Sequence, residues 1–249
     1  MARLKSLLKV EGTLDGITFY KTQDGHLVRL KGGADVNKIK HDPRFARTRE
    51  NMQEFTLAAK VAKMFRRSVR PLIFGVSDNR VSSRLTQVMS KIAKHDQDNF
   101  RGMRTAASGL GTTEGKDWLK SFNFNRDSNL ESILSVPWTI DTSTGVITLS
   151  DLIPSEDLSI PEGSTHFSIS GAMQIIDFTT GISDLKFTNV VNSTVIPTVL
   201  PVVLAPASLP TGTGITLFYL KIEFFQLVNT IQYPLKNGSH NALSIIEVI

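Results

Sequence analysis

The stretch Gly109-Leu110-Gly111-Thr112-Thr113-Glu114-Gly115-Lys116-Asp117 has the residue types of a phosphate-binding loop without its spacing. Such a loop needs a glycine four residues removed from its Gly-Lys pair, a hydroxyl after the lysine to hold magnesium, and a buried strand in front. Here those places hold Leu110, Asp117 and the polar run Arg104 to Ser108, so a flexible linker is expected. Asp96-Gln97-Asp98-Asn99 opens like a calcium loop, but Phe100 takes the fifth ligand place and Ala107 the place of the bidentate glutamate. A helix end and turn fits it better. The five histidines (26, 41, 95, 166 and 240) show no metal-ligand spacing, and there is no cysteine to complete a zinc site. His41-Asp42 and His95-Asp96 are sequence neighbours, which point apart rather than forming a dyad. With no Gly-x-Ser-x-Gly elbow either, no catalytic, cofactor-binding or metal-binding residue is expected, and the chain reads as a non-enzyme.

Charge is the chemistry that remains. Of the 28 Lys and Arg residues, 22 lie in the first 104 positions beside 10 Asp and Glu, a net +12, whereas the remainder carries −7. Such asymmetry speaks about partners. The basic residues Lys60, Lys63, Arg66, Arg67, Arg70, Arg80, Arg84 and Lys91, with Arg44, Arg47 and Arg49 upstream, lie off the apolar stripes of two helices. They suit either the acidic surface of another copy or the phosphates of a nucleic acid, bound without sequence preference and with steep salt dependence. A solvated face is the third reading. No helix-turn-helix spacing or aromatic RNA-binding consensus favours nucleic acid, so self-association into a homo-oligomer or larger assembly is the leading expectation and nucleic acid the runner-up. An apolar strand face, Leu217, Tyr219 and Phe225 around Lys221 and Glu223, is expected to seal the contact. The sharpest expectations fall on Arg66, Arg67, Arg70 and Arg84 for charge and on Tyr219 and Phe225 for the apolar patch. No cofactor or small-molecule substrate is implied.

Three zones must position these residues. Ile17 to Lys21 and His26 to Leu30 flank Thr22-Gln23-Asp24-Gly25, whose Asp-Gly pair signals a hairpin. Asp42-Pro43 then starts a helix with Phe45, Met52, Phe55, Ala59, Ala62 and Phe65 as its apolar stripe. Pro71 and Gly75 interrupt it, and a second helix opens near Ser77 or Asp78 with Val81, Leu85, Val88 and Ile92 inward. A Gly-, Ser-, Thr- and Asn-rich connector from Asp96 to Asn129 holds a short helix with Trp118 and Phe122 packing inward. From Ile133 onward the chain reads as all β, with period-two runs such as Phe167, Ile169, Gly171, Met173 and Ile175. Asn237-Gly238 reads as a hairpin turn, and Leu243 to Ile249 as a strand that must be paired.

No stretch reaches the length of an apolar membrane span. Val195 to Leu209 carries three prolines and reads as a loop or edge strand. Lys9 and Glu11 interrupt any signal-peptide core, so a cytoplasmic site, or an assembly exported without a signal peptide, is expected.

Gly12-Thr13-Leu14-Asp15-Gly16-Ile17-Thr18-Phe19-Tyr20, Leu27-Val28-Arg29, Arg47-Thr48-Arg49-Glu50-Asn51 and Pro161-Glu162-Gly163-Ser164-Thr165-His166-Phe167 together resemble a group of uncharacterised proteins of about this length common in Bacteroidota. The resemblance implies a shared architecture and no activity. The expected fold is α+β: a β-hairpin and basic helical hairpin over 1–129, then an immunoglobulin-like sandwich over 130–249. A phage or secretion-system component is a context that would fit it.

Overall fold

The structure, a computed structural model, describes residues 2–3, 10–23, 25–30, 32–76 and 78–249, without the side chains of residues 2, 3, 236 and 237. Two compact units divide it, Met1–Arg49 and Glu50–Ile249. In the first, β1 (Ala2–Arg3), β2 (Gly12–Leu14), β3 (Ile17–Thr22) and β4 (Gly25–Leu30) form an antiparallel sheet in the order β1-β4-β3-β2. Thr22 pairs with Gly25, so the expected hairpin turns over two residues; Asp24 of its Asp-Gly pair lies outside the described residues. Asp35 caps α1 (Val36–His41) by accepting from the N–H groups of Asn37 and Lys38. Asp42 accepts from the Arg44 N–H and opens a 3-10 turn at Pro43 that runs into α2 (Ala46–Ser68), the start its Asp-Pro pair predicts. Arg49 donates to the carbonyls of Ile39 and Asp42 at 2.8 and 2.9 Å. That arginine caps its own unit.

The second unit continues α2 and adds α3 (Arg70–Ile73), α4 (Val81–Ile92), α5 (Ala106–Gly109), α6 (Thr113–Leu119) and α7 (Leu130–Ile133). There follow β5 (Thr139–Asp141), β6 (Val146–Leu152), α8 (Pro154–Asp157), β7 (His166–Ile176), β8 (Ser183–Thr194), β9 (Leu200–Leu204), β10 (Ile215–Val228), β11 (Ile231–Pro234) and β12 (Ala242–Val248). One sheet runs β11-β10-β7-β8 with β12 also on β10, and the other runs β5-β6-β9. Mixed helix and strand with three sheets in all is the α+β class expected from the sequence.

Strand β10 organises the unit because both its faces are covered. Leu217 and Tyr219 join Ala58, Ala62 and Phe65 of α2, and Leu85, Met89 and Ile92 of α4, in one core. Phe218, Leu220, Ile222 and Phe224 meet Ile147 and Leu149 of β6 and Val202 and Leu204 of β9 in a second core. The unit is therefore layered: helices, five-stranded sheet, three-stranded sheet. The division expected at 129/130 runs through the first core, which takes residues from both sides of it.

Several local expectations change. In α2 the buried stripe is Ala58, Ala62 and Phe65, while Met52 and Phe55 stay exposed, because the core begins only a turn further on. Helix α4 buries Val81, Leu85, Met89 and Ile92; Asp78 accepts from the Arg80 N–H just before it, and Ser77 lies outside the described residues. Asn237-Gly238 belongs to a 3-10 turn, Leu235–Gly238, between β11 and β12, which occupy successive stretches of one edge of β10. The hairpin is at Asn229-Thr230, whose φ values of 49° and 67° match a type I′ turn.

The connector is packed rather than flexible. A Cβ on Gly115 would lie 1.9 Å from the Gly109 carbonyl oxygen, and one on Gly109 would lie 2.2 Å from that of Ile92. The glycines that imitate a phosphate loop are the points where α4, α5 and α6 approach closely.

Candidate functional site

The C-terminal half of α2 continues through Val69 into α3, and its inward positions alternate with basic ones at spacings of three and four. The outward positions open on two neighbouring clefts. Arg66, Arg67 and Arg70 rim the first, about 320 Å³, over a floor of Ile73 and Val81. Lys60, Lys63 and Arg67, with Met64 and Ser68 of the same helix, border the second, about 460 Å³, which Gly181 and Ser183 line from the β-rich part of the chain. Arg67 is common to both. Among the described residues none of these five cations is paired with a carboxylate. From Lys60 to Arg70 the row spans about 15 Å at helical rise. Phe74, 85% exposed, follows Arg70 in the chain and donates its N–H to the Arg70 carbonyl.

The other expected cations are placed elsewhere. The guanidinium of Arg84 is ion-paired with Asp78, donates to the Asn123 carbonyl and lies 5.1 Å from the Phe122 ring centroid. It ties the start of α4 to the segment after α6. Lys91 sits 4.1 Å from the centroid of the Trp118 ring, whose Nε1 donates to His95 Nε2 at 3.1 Å. Trp118 is thus a half-exposed platform for a lysine, not the inward residue expected, whereas Phe122 is buried. Arg80 is exposed and outside both clefts. The structure assembles five of the eight expected basic residues and assigns Arg84 and Lys91 to internal contacts.

The apolar patch is overturned. Leu217 and Tyr219 are fully buried under the helices, and Phe225 is half-buried where β10 meets His166 and Pro234. The Tyr219 hydroxyl donates to Gln174 Oε1 at 2.6 Å, and Gln174 Nε2 donates to Ser68 Oγ at 2.9 Å, a buried polar link from sheet to helix. Burial raises the Tyr219 phenol well above its ordinary pKa. Lys221, expected in solvent, is only 8% exposed; its Nζ donates to the Phe74 carbonyl at 2.8 Å and pairs with Glu223 at 2.9 Å.

A cleft of opposite sign, which sequence reasoning missed, lies on the β-rich side. It measures about 270 Å³ and is walled by Asp127, Glu162, Ile133, Ile160 and His240, with serines 128, 132 and 159 between them. Asp127, Glu131, Glu156 and Glu162 are exposed. The Ser135 N–H donates to the Asp157 carbonyl and the Ser159 N–H to that of Ile133, which brings α7 and α8, with Glu131 and Glu156, together. A readable signal existed: no Lys or Arg occurs between Arg126 and Lys186, a span with nine Asp and Glu.

No family model matches the chain, and no curated protein or solved structure is significantly similar to it. Function must therefore be argued from the surface itself. Among the described residues, no group of three His, Asp or Glu is placed to hold a metal, and no helix is long and apolar enough to cross a membrane. The calcium-like Asp96 is spent on its own loop. It accepts from the N–H groups of Asp98, Asn99 and Thr105 and from Asn99 Nδ2, at 2.8 to 3.0 Å. Burial pulls its pKa up, but those hydrogen bonds together hold it below the ordinary carboxylate value.

Proposed function

We propose that this chain is a non-enzymatic structural and interaction protein that self-associates, with the basic face of α2 and α3 seated on the acidic β-rich side of a neighbouring copy. One observation carries the reading: five cations converge on two adjoining clefts without a carboxylate partner among the described residues. Held so close, like charges repel one another, and an arriving anionic surface relieves that cost. Within this reading the two-sheet part of the second unit is an immunoglobulin-like sandwich, supported by two sheets of antiparallel strands that share one apolar core.

A second reading rests on Phe74. An exposed aromatic ring beside Arg70 and a row of cations is a surface on which a nucleic acid base can stack while its phosphates are held. One experiment weighs both. Sedimentation velocity at tens of micromolar protein, in low salt and in about 0.5 M salt, should give larger species at low salt that dissociate as screening shortens the reach of the charges. A strict monomer at low salt overturns self-association. A labelled oligonucleotide in the same runs decides the alternative, because failure to co-sediment at low salt ends it.

A further inference from the structure

The two basic clefts are small, and their walls are fixed. Arg67 belongs to both, and Lys63 and Arg70 stand on either side of it, about 10 Å apart along the helix at helical rise. The backbone that carries them is tied to the sheet from beneath. Ser68 Oγ, in the wall of the larger cleft, donates to the Phe65 carbonyl at 2.8 Å and accepts from Gln174, which itself accepts from the buried Tyr219 hydroxyl. The facing wall is held as closely. Gly181 has a φ of 81°, and a Cβ there would lie 2.7 Å from Met64 Sδ, so the turn leading into β8 rests directly on α2.

No acid in these walls balances the cations. The carboxylates on the neighbouring segments are committed elsewhere. Asp177 accepts from the Thr179 N–H and the Thr180 hydroxyl, both at 2.7 Å. Asp184 accepts from the Thr211 N–H at 2.9 Å and pairs with Lys186 at 3.1 Å. Asp78 is paired with Arg84, and Glu223 with Lys221. The positive charge of the clefts is therefore left for a ligand.

We propose that the paired clefts form a binding site for a small condensed phosphate, a short run of linked phosphoryl groups lying along Lys63, Arg67 and Arg70, with Lys60 and Arg66 completing the two clefts. The inference goes beyond self-association and does not rest on it. Guanidinium forks match phosphate oxygens in pairs, which favours this anion over a single carboxylate. Linked phosphates also place several negative charges in a space too small for a folded segment, and clefts of about 320 and 460 Å³ are of small-molecule size. The apolar floor of Ile73 and Val81 keeps water from screening one side of the smaller cleft. Free inorganic polyphosphate and the phosphate tail of a nucleotide both offer this chemistry. A neighbouring copy seated on the same face would compete with either.

Titration calorimetry with sodium tripolyphosphate tests the site, in about 50 mM salt and at a protein concentration where sedimentation shows monomer. One tripolyphosphate should bind per chain, at least about tenfold more tightly than inorganic phosphate. Arg67→Gln should weaken it by about tenfold or more. Lys94→Gln removes one exposed charge outside both clefts and should change the affinity by less than about twofold. Thermal melts check folding, and Lys63→Gln, with a several-fold loss expected, carries the test if R67Q does not fold. ATP separates the sources: tighter binding than tripolyphosphate assigns the site to a nucleotide, and equal or weaker binding assigns it to free condensed phosphate.

Tripolyphosphate that does not saturate at one per chain overturns the site. So does an equal loss in K94Q and R67Q, which would reduce the effect to net charge. An oligonucleotide that binds where tripolyphosphate does not overturns it as well and returns the face to nucleic acid. A chain that stays monomeric at low salt yet binds tripolyphosphate sinks self-association alone, whereas one that assembles and binds none sinks this site alone.

Discussion

Arg67 and Arg84 look alike in the sequence, yet they do different work. Both are arginines off an apolar helical stripe. Arg67 ends in solvent between two clefts, while Arg84 meets a largely buried Asp78 carboxylate, a backbone carbonyl and an aromatic ring. Deleting one partner of a buried pair leaves the other uncompensated, and the loss runs to about 3 kcal/mol. Arg84→Ala should therefore lower the unfolding free energy by about 2–3 kcal/mol in urea titration, with self-association unchanged in conditions where the variant is folded. Arg67→Ala should reverse the pattern: stability within about 0.5 kcal/mol of the parent, but weakened self-association. Equal effects of both variants on assembly would return Arg84 to the docking face. Residue type alone does not distinguish the two, because the Asn123 carbonyl that holds Arg84 is 39 residues away.

At the scale of elements, legibility followed the number of covered faces. Helix α4 has one buried stripe, and its period of three and four is plain in Val81, Leu85 and Ile92. The β3–β4 hairpin announces itself through Asp-Gly. Strand β10 misled because Lys221 and Glu223 alternate with apolar residues and imitate a solvent face. The truer signal was its near-continuous run of large apolar residues, Leu217 to Leu220, which is how a strand buried on both faces reads. The pair Lys221–Glu223 is tolerated there because it clamps the Phe74–Gly75 turn, a tertiary contact invisible to periodicity. Glycines in the connector suggest freedom by composition alone, but in the fold they serve proximity. Gly115→Ala should destabilise the protein by about 2–3 kcal/mol, since its methyl would have to push the α5 backbone away. A thermal melt checks this, and a variant as stable as the parent would mean that α5 and α6 can separate without cost. Gly111, whose Cβ would meet only the Ser108 carbonyl oxygen at 3.1 Å, is the milder comparison.

For the whole molecule, acid is the condition that reaches several parts of the fold together. Four aspartates sit below their ordinary pKa, and in each the cause is local hydrogen bonding. Ser143 and Thr144 hold Asp141 at about 2, Thr180 and Thr179 lower Asp177, and the Thr211 N–H with Lys186 lowers Asp184. Asp96 is lowered against the opposing pull of burial. A carboxylate with a depressed folded-state pKa binds fewer protons in the native chain than in the unfolded one, so stability rises with pH through that range. Their contribution is present above about pH 4, the unfolded value, and is lost as pH falls through the lowered folded-state values, about 2 for Asp141. Asp96 should dominate, being the buried member and the one that closes the loop from residue 96 to residue 105. Asp96→Asn replaces one accepting oxygen with a donor that opposes either the Thr105 N–H or the N–H groups of Asp98 and Asn99. The variant should lose about 1–2 kcal/mol at pH 7 and should show a shallower fall in melting temperature between pH 4 and pH 2 than the parent. Parallel acid profiles for the two proteins would show that the loop's hydrogen bonds do not depend on the charge of Asp96.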